Sequence, residues 1–184
     1  MDRRSGWGLV TGAALLGATW LAGCSDLPSG PGSNAYQNPK FVSAAAPRGT
    51  FGAGPSGPTS GSQQINGNKG GILSIGRFKV QVPAGAFAGN ATLTINVPNQ
   101  NFLVCELGIT PAGANNFALP VTLTTNWSGT NVTNPQTLAE LWYDESAGLW
   151  RVVPGSVVDV LNGTISTPLS HFSTYGTVEG KAGW

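Results

Sequence analysis

Charged side chains are scarce in this 184-residue chain, where Asp, Glu, Lys and Arg together make up 9% of the residues. Soluble domains typically contain about 25%. The formal net charge is +1, and no stretch of the chain concentrates Lys and Arg. Nucleic-acid binding requires clustered basic side chains that displace counterions from phosphates. The composition therefore predicts that nucleic acid is not a partner.

Residues that hold metals or perform catalysis are also few. The chain has one histidine, His171, and two cysteines, Cys24 and Cys105. A structural zinc site takes about four Cys or His ligands, and an ordinary hydrolase needs a nucleophile, a base and a group that orients the base. Asp144 and Glu145 could belong to a calcium loop, but the dense oxygen ligands of such loops are missing, which favours a solvated turn. We therefore predict no metal, no cofactor and no enzymatic activity.

The N-terminus has the pattern of an export signal. Basic residues in Met1–Arg4 precede an apolar run, Leu9–Ala22. A helix of this length reaches about 21 Å, which is less than the roughly 30 Å of a hydrocarbon core, so the run is typical of a signal peptide. It ends in Leu21–Cys24, which resembles the lipobox of bacterial lipoproteins. The resemblance predicts a signal peptide over residues 1–23.

Lipidation of Cys24 is the expected consequence. Its thiol would take a diacylglyceryl group, and two acyl chains anchor a protein durably where one holds it only marginally. Ser25 is not acidic, which favours the outer membrane if the host has two. The alternative is an ordinary secretory signal with a chance cysteine. We expect an exported protein held at a bacterial membrane through this lipid.

A tether is predicted over residues 24–64, because the stretch is rich in Pro, Gly, Ser and Ala and has few large apolar side chains. Such composition buries too little surface to offset the entropy cost of ordering the chain. About 40 flexible residues reach roughly 35 Å, enough to hold a domain clear of the lipid. A short strand around Phe41–Val42 is the alternative. The folded domain is then expected over residues 65–180.

Residues 65–180 alternate between apolar and polar side chains, and turn residues recur about every ten positions. This pattern is typical of short strands, and it predicts an all-β fold, an antiparallel β-sandwich of about eight to nine strands. Cys105 shares the apolar face of its strand, so we expect a buried, inert thiol. The predicted strands cover 78–82, 93–97, 103–109, 117–123, 138–143, 149–153, 156–160, 163–167 and 172–178.

Two blocks resemble a known family. Gly70–Ala86 contains a Gly-Gly turn and a strand that ends in Val-Pro-Ala-Gly-Ala, and Cys105–Leu123 contains a Gly/Pro turn followed by Phe-Ala-Leu-Pro-Val. Both are similar to the ZU-five domain of ankyrins and netrin receptors. Leu141–Tyr175 is similar to the closing segment of bacterial surface proteins that carry this domain. The resemblance implies a β-sandwich used for protein contacts, without a cofactor or a shared active site.

Aromatic side chains are the candidate binding residues. Trp142, Tyr143 and Trp150, with Trp127, could form a platform for sugar rings, but their spacing on hairpin strands suits core or cross-strand packing equally well. Packing is the favoured interpretation.

The tripeptide His171–Phe172–Ser173 matches the site at which certain nucleoporins and death-domain adaptors cleave themselves between Phe and Ser. Ser173 would attack the Phe172 carbonyl, and His171 would be the base. In a regular strand, however, His171 and Ser173 stand about 6.5 Å apart. We therefore expect an ordinary last strand and an intact chain.

Together these features predict a non-enzymatic interaction domain displayed on a lipid anchor, whose partner is an envelope protein or a polysaccharide. The alternatives are a carbohydrate-binding module of the envelope and a self-cleaving module.

Overall fold

The computed structural model describes residues 35–44 and 57–180. The predicted signal peptide, the lipidation site Cys24 and the remainder of the predicted tether lie outside these residues. Within residues 35–44 and 57–180, no helix is long and apolar enough to cross a membrane.

Twelve strands, β1 to β12, run along the described chain. The first six are Ala35–Tyr36, Ser60–Asn66, Gly71–Ile75, Phe78–Val82, Asn90–Asn96 and Val104–Thr110. The last six are Val121–Asn126, Ala139–Asp144, Leu149–Val152, Val157–Asp159, Thr164–Leu169 and Thr174–Val178. Two short 3-10 turns, Ala112–Ala114 and Pro135–Thr137, interrupt the loops.

The strands form two antiparallel sheets, which confirms the predicted all-β sandwich. One sheet has seven strands in the order β1-β9-β8-β12-β6-β5-β2, and the other has five in the order β10-β11-β7-β4-β3. Alternation places the apolar side chains between them: Phe78, Val80 and Val82 of β4 are buried, whereas Lys79 and Gln81 are exposed. A buried cluster that draws on both sheets forms the main core.

The nine predicted strands correspond to β4 through β12, and β1, β2 and β3 are additional. Most boundaries differ by one or two residues, and β5 and β7 differ by three or four, since β5 begins at Asn90 and β7 ends at Asn126. The strand predicted over 117–123 begins at Val121, and the strand predicted over 172–178 begins at Thr174.

The structure corrects the predicted tether, because residues 35–44 and 57–64 belong to the fold. β1 extends the seven-stranded sheet beside β9. The chain then crosses that sheet, and Phe41 packs edge-on against Trp150, with ring centroids 4.7 Å apart. Phe41 also lies over Gly176, where an added Cβ would stand 2.3 Å from the phenyl ring. A composition average over forty residues does not detect so short a docked segment.

Residues 41–44 insert between the end of β12 and the chain that leads into β6. Val42 donates its N–H to Thr177 O at 2.8 Å and accepts from Leu103 N–H at 3.0 Å. The Val42 side chain is buried in a second, smaller core cluster. The alternative, a short strand around Phe41–Val42, is nearer to the structure, in which Phe41 and Ser43 form isolated β-bridges to Val178 and Phe102 and no regular strand.

Candidate functional site

A groove of about 560 Å³ opens where β6, β8 and β12 meet. Strand register creates it: Thr174 at the start of β12 pairs with Glu106 of β6, and the next residue, Tyr175, pairs with Trp142 of β8. Trp142, Tyr143, His171, Phe172 and Ser173, which the sequence singled out, all line it, together with Glu106, Asn115 and Glu145. Aromatic, carboxylate, amide and hydroxyl groups thus share one surface.

Trp142 and His171 form a rigid wall of this groove. Their rings meet edge to face, with centroids 4.8 Å apart and planes at 87°. Trp142 is half-buried and packs against the main core, and His171 Nδ1 lies 3.2 Å from Ser170 Oγ. Because the Trp142 indole packs against the main core, its position is fixed by contacts within the domain.

Side chains clamp the backbone of residues 171–173 from several directions. Tyr175 Oη donates to His171 O at 2.6 Å. Asn115 brackets Phe172, accepting its N–H on Oδ1 at 2.6 Å and donating Nδ2–H to its carbonyl at 3.0 Å. Ser173 O accepts from Leu107 N–H at 2.9 Å. All three carbonyls of this segment and the Phe172 N–H are thereby hydrogen-bonded.

The groups required for self-cleavage are not brought together. The tripeptide precedes β12 instead of lying in it, and Ser173 Oγ donates to Tyr143 O at 2.7 Å. Among the described residues, His171 and Ser173 share no hydrogen bond. Asn115 Nδ2 does lie on the carbonyl that would be attacked, a donor that sequence reasoning missed. Asn115 could polarise the Phe172 carbonyl, but the Ser173 hydroxyl and the His171 ring are hydrogen-bonded to other groups.

We therefore expect the purified full chain to remain uncleaved between Phe172 and Ser173. Intact-mass spectrometry under denaturing conditions measures this, and Ser173→Ala is the control. A species lacking the residues after Phe172, present in the wild type and absent from the variant, would contradict the expectation.

The three aromatic candidates do not form one platform. Successive residues of a strand point to opposite faces, so Trp142 and Tyr143 diverge. Tyr143 instead pairs with Trp150 across β8 and β9, with centroids 5.3 Å apart, and Trp150 also contacts Phe41. Trp142 packs against His171 in the groove, which Tyr143 also lines. The rings of Tyr143 and Trp150 thus pack against aromatic neighbours.

The Asp144–Gly148 turn was considered as a calcium loop, but the Asp144 carboxylate is already hydrogen-bonded to neighbouring side chains. Asp144 Oδ1 accepts from Ser146 Oγ at 2.6 Å, and Oδ2 accepts from Arg151 Nε at 2.7 Å. The Ser146 hydroxyl and Arg151 lower the pKa of Asp144 to about 2. Among the described residues, no three His, Cys, Asp or Glu side chains are grouped to hold a metal.

A buried acid, Glu140, lies on the inner face of β8 and was not predicted. Its Oε2 accepts from Thr177 Oγ1 at 2.9 Å, and its Oε1 has no partner among the described residues. Burial raises the pKa of Glu140 to about 8. Cys105 is also fully buried, as expected, and burial together with the Glu140 carboxylate raises its pKa. Glu140 is therefore a proton-binding group of the core, separate from the groove.

In each of two other clefts, one charged side chain is already hydrogen-bonded to the backbone. In a cleft of about 290 Å³ beside Phe102, Arg77 Nη1 donates to Asn126 O and Ser128 O. In a cleft beside Lys40, Glu179 Oε1 accepts from the backbone of Thr133. In the groove, Glu106 and Glu145 are exposed, and neither forms an ion pair with a described residue. Glu106 Oε2 accepts a hydrogen bond from Asn96 Nδ2 at 2.7 Å.

No protein-family model matches this chain, and a search of curated proteins likewise finds no match.

Proposed function

We propose that this protein is an exported lipoprotein whose β-sandwich is a non-enzymatic interaction domain, and that the groove beside Trp142 is its contact surface. The observation that carries the proposal is the groove itself, where a core-supported indole lies beside two exposed carboxylates, Glu106 and Glu145. The resemblance to the ZU-five domain, which is used for protein contacts, supports the same role. The proposed partner is an envelope protein.

The anchoring part of the proposal rests on the Leu21–Cys24 lipobox and the short apolar run before it. Replacing Cys24 with Ala removes the only sulfur that could be acylated at this position. We expect Cys24→Ala to abolish metabolic palmitate labelling and detergent-phase partitioning, and to leave the uncleaved precursor. Cys105→Ala is the control, because that thiol is buried in the domain. Equal labelling of Cys24→Ala and the wild type would refute the lipoprotein assignment.

Pre-organisation makes the groove suitable for binding. Asn115 and Tyr175 hold the backbone of residues 171–173 before any partner arrives. A surface that is already ordered loses less conformational entropy on association. The exposed carboxylates favour a partner that presents basic groups, because complementary charges steer encounter and fix orientation.

The binding experiment reverses one charge at the groove. We expect Glu145→Lys to weaken binding of the captured envelope partner by about tenfold, which corresponds to roughly 1.4 kcal/mol. Gln81→Lys is the control, because it places a new lysine on the exposed outer face of β4, outside the groove lining. The measurement is capture from envelope extracts, followed by titration of the captured protein. If both variants bind like the wild type, the groove is not the contact surface.

A carbohydrate-binding module is the second candidate, and the observation that favours it is Trp142 beside amide and hydroxyl groups of the same groove. Sugar rings stack on such aromatic faces while their hydroxyls bond polar neighbours. Affinity electrophoresis with envelope polysaccharides distinguishes the two candidates. Retardation that Trp142→Phe retains and Trp142→Ala loses would favour the sugar.

A further inference from the structure

β2 forms an edge that no described strand covers, and it differs from the other sheet edges. The strands at the remaining edges, β1, β10 and β3, have two, three and five residues, whereas β2 has seven. The sequence of β2, Ser-Gly-Ser-Gln-Gln-Ile-Asn, contains no charge and no proline. Proteins usually protect an edge with Lys, with Pro or by keeping the strand short, and β2 has none of these features.

The register identifies which backbone groups of β2 have no hydrogen-bond partner among residues 35–44 and 57–180. Val97 N–H donates to Thr59 O, and Gly67 N–H donates to Gly89 O, just before and just after the strand. Odd-numbered residues of β2 therefore exchange hydrogen bonds with β5, since bonded pairs alternate along antiparallel strands. The N–H and C=O groups of Ser60, Ser62 and Gln64 point away from β5, and these three residues are exposed.

We propose that β2 pairs antiparallel with β2 of a second copy of this chain, about a two-fold axis at Gln63. The two seven-stranded sheets then join into one continuous sheet. In this register Ser62 lies opposite the second copy's Gln64, and Ser60 lies opposite its Asn66. The unpaired backbone groups of Ser62 and Gln64 meet those of the second copy, as an isologous two-fold interface requires. Asn66 O already accepts from the N–H groups of Lys69 and Gly70, so the pairing is centred on residues 62–64.

Side chains in this register are mutually compatible. Gly61 lies opposite Ile65, whose side chain is buried in the core of its own domain, so no bulky side chain stands between the two backbones at this pair. Short amide and hydroxyl side chains face one another on the outer surface, where they can hydrogen-bond. Because the strand is uncharged, no like charges oppose each other across the axis. These features favour a second copy over a partner with a charged edge.

Disulfide trapping tests the register. Gln63 would pair with itself at a non-hydrogen-bonded position, where Cα atoms are about 4.5 Å apart, within the range a disulfide can bridge. We expect full-length Gln63→Cys to yield a disulfide-linked dimer on mild oxidation in isolated membranes. Gln64→Cys is the matched control: two copies of residue 64 would stand more than about 7 Å apart, too far for a bridge. The wild type measures any crosslinking through the native cysteines.

Blocking the edge tests whether the dimer forms without a crosslink. Proline at position 64 removes an N–H that points away from β5, so it is compatible with an edge strand but not with pairing to a second copy. We expect the full chain to sediment as a dimer and Gln64→Pro to sediment as a monomer with unchanged circular dichroism. A monomeric wild type across a dilution series, equal crosslinking at positions 63 and 64, or a dimer that survives in folded Gln64→Pro would overturn the proposal.

Discussion

Raising the pH from about 5 to about 8 should lower the free energy of unfolding of the domain by roughly 4 kcal/mol, because one buried acid binds its proton only in the folded state. That acid is Glu140, which is fully buried with one unpartnered oxygen. Burial raises its pKa from an ordinary value of 4.5 to about 8. Denaturant midpoints measured at several pH values test this.

The direction follows from the proton balance. Below the unfolded-state pKa of 4.5, Glu140 is protonated in both states, and the stability it contributes is fully present. Between 4.5 and about 8 the folded state keeps the proton and the unfolded state loses it, so stability declines with rising pH. Above about 8 both states are ionised, and the decline stops. Asp144, whose pKa is about 2, titrates below this window.

Glu140→Gln is the control, because an amide has nearly the same shape and cannot ionise. Its oxygen can still accept the hydrogen bond from the Thr177 hydroxyl. We expect the variant to show little pH dependence between about 5 and about 8, and to exceed the wild type in stability at the upper limit. Equal pH dependence of the two chains would show that another group is responsible.

Alternating strands made most of the sandwich predictable. β4 places Phe78, Val80 and Val82 on one face and polar residues on the other, and such a pattern has one interpretation. β2 has a single large apolar residue, Ile65, because an edge strand contributes little to the core. Hydrophobic periodicity cannot detect a strand whose stabilisation comes mainly from backbone pairing with one neighbour.

The candidate groove was predictable only in part. Trp142 and the 171–173 tripeptide are conspicuous by residue type, but their proximity depends on β12 pairing with both β6 and β8. Those pairings join segments that are distant in sequence, so Glu106 and Asn115 could not be assigned to the same surface beforehand. Glu140 was missed for a different reason: an acid in an apolar strand is ordinarily assumed to point outward.

Deleting residues 1–44 should destabilise the domain by about 3–5 kcal/mol relative to deleting residues 1–34, because residues 35–44 are packed into it. The shorter deletion keeps Val42, which is 4% exposed, and Ala44, which is 2% exposed. Burying one valine side chain contributes about 1.5–3 kcal/mol. Loss of the segment would also uncover Leu103 in the second core cluster and Trp150 beneath Phe41.

Backbone hydrogen bonds add to the expected effect. Without residues 41–44, Leu103 N–H loses its acceptor, Val42 O, and Thr177 O loses the N–H of Val42. A backbone group left unpaired in a buried place costs about 1–3 kcal/mol, although water admitted by the deletion would offset part of this. Ordering ten residues costs conformational entropy, which is why the expected net effect is smaller than the sum of its parts.

Point variants separate the contribution of the Val42 side chain from the other effects of the deletion. Val42→Ala should reproduce about 1–2 kcal/mol of the loss by removing two buried methyl groups, whereas Lys40→Ala, at an exposed position of the same segment, should change little. Guanidinium unfolding of both deletions and both point variants provides the comparison. If the chain that begins at residue 45 unfolds at the same midpoint as the chain that begins at residue 35, the segment does not stabilise the domain, and the original prediction of a tether holds for it.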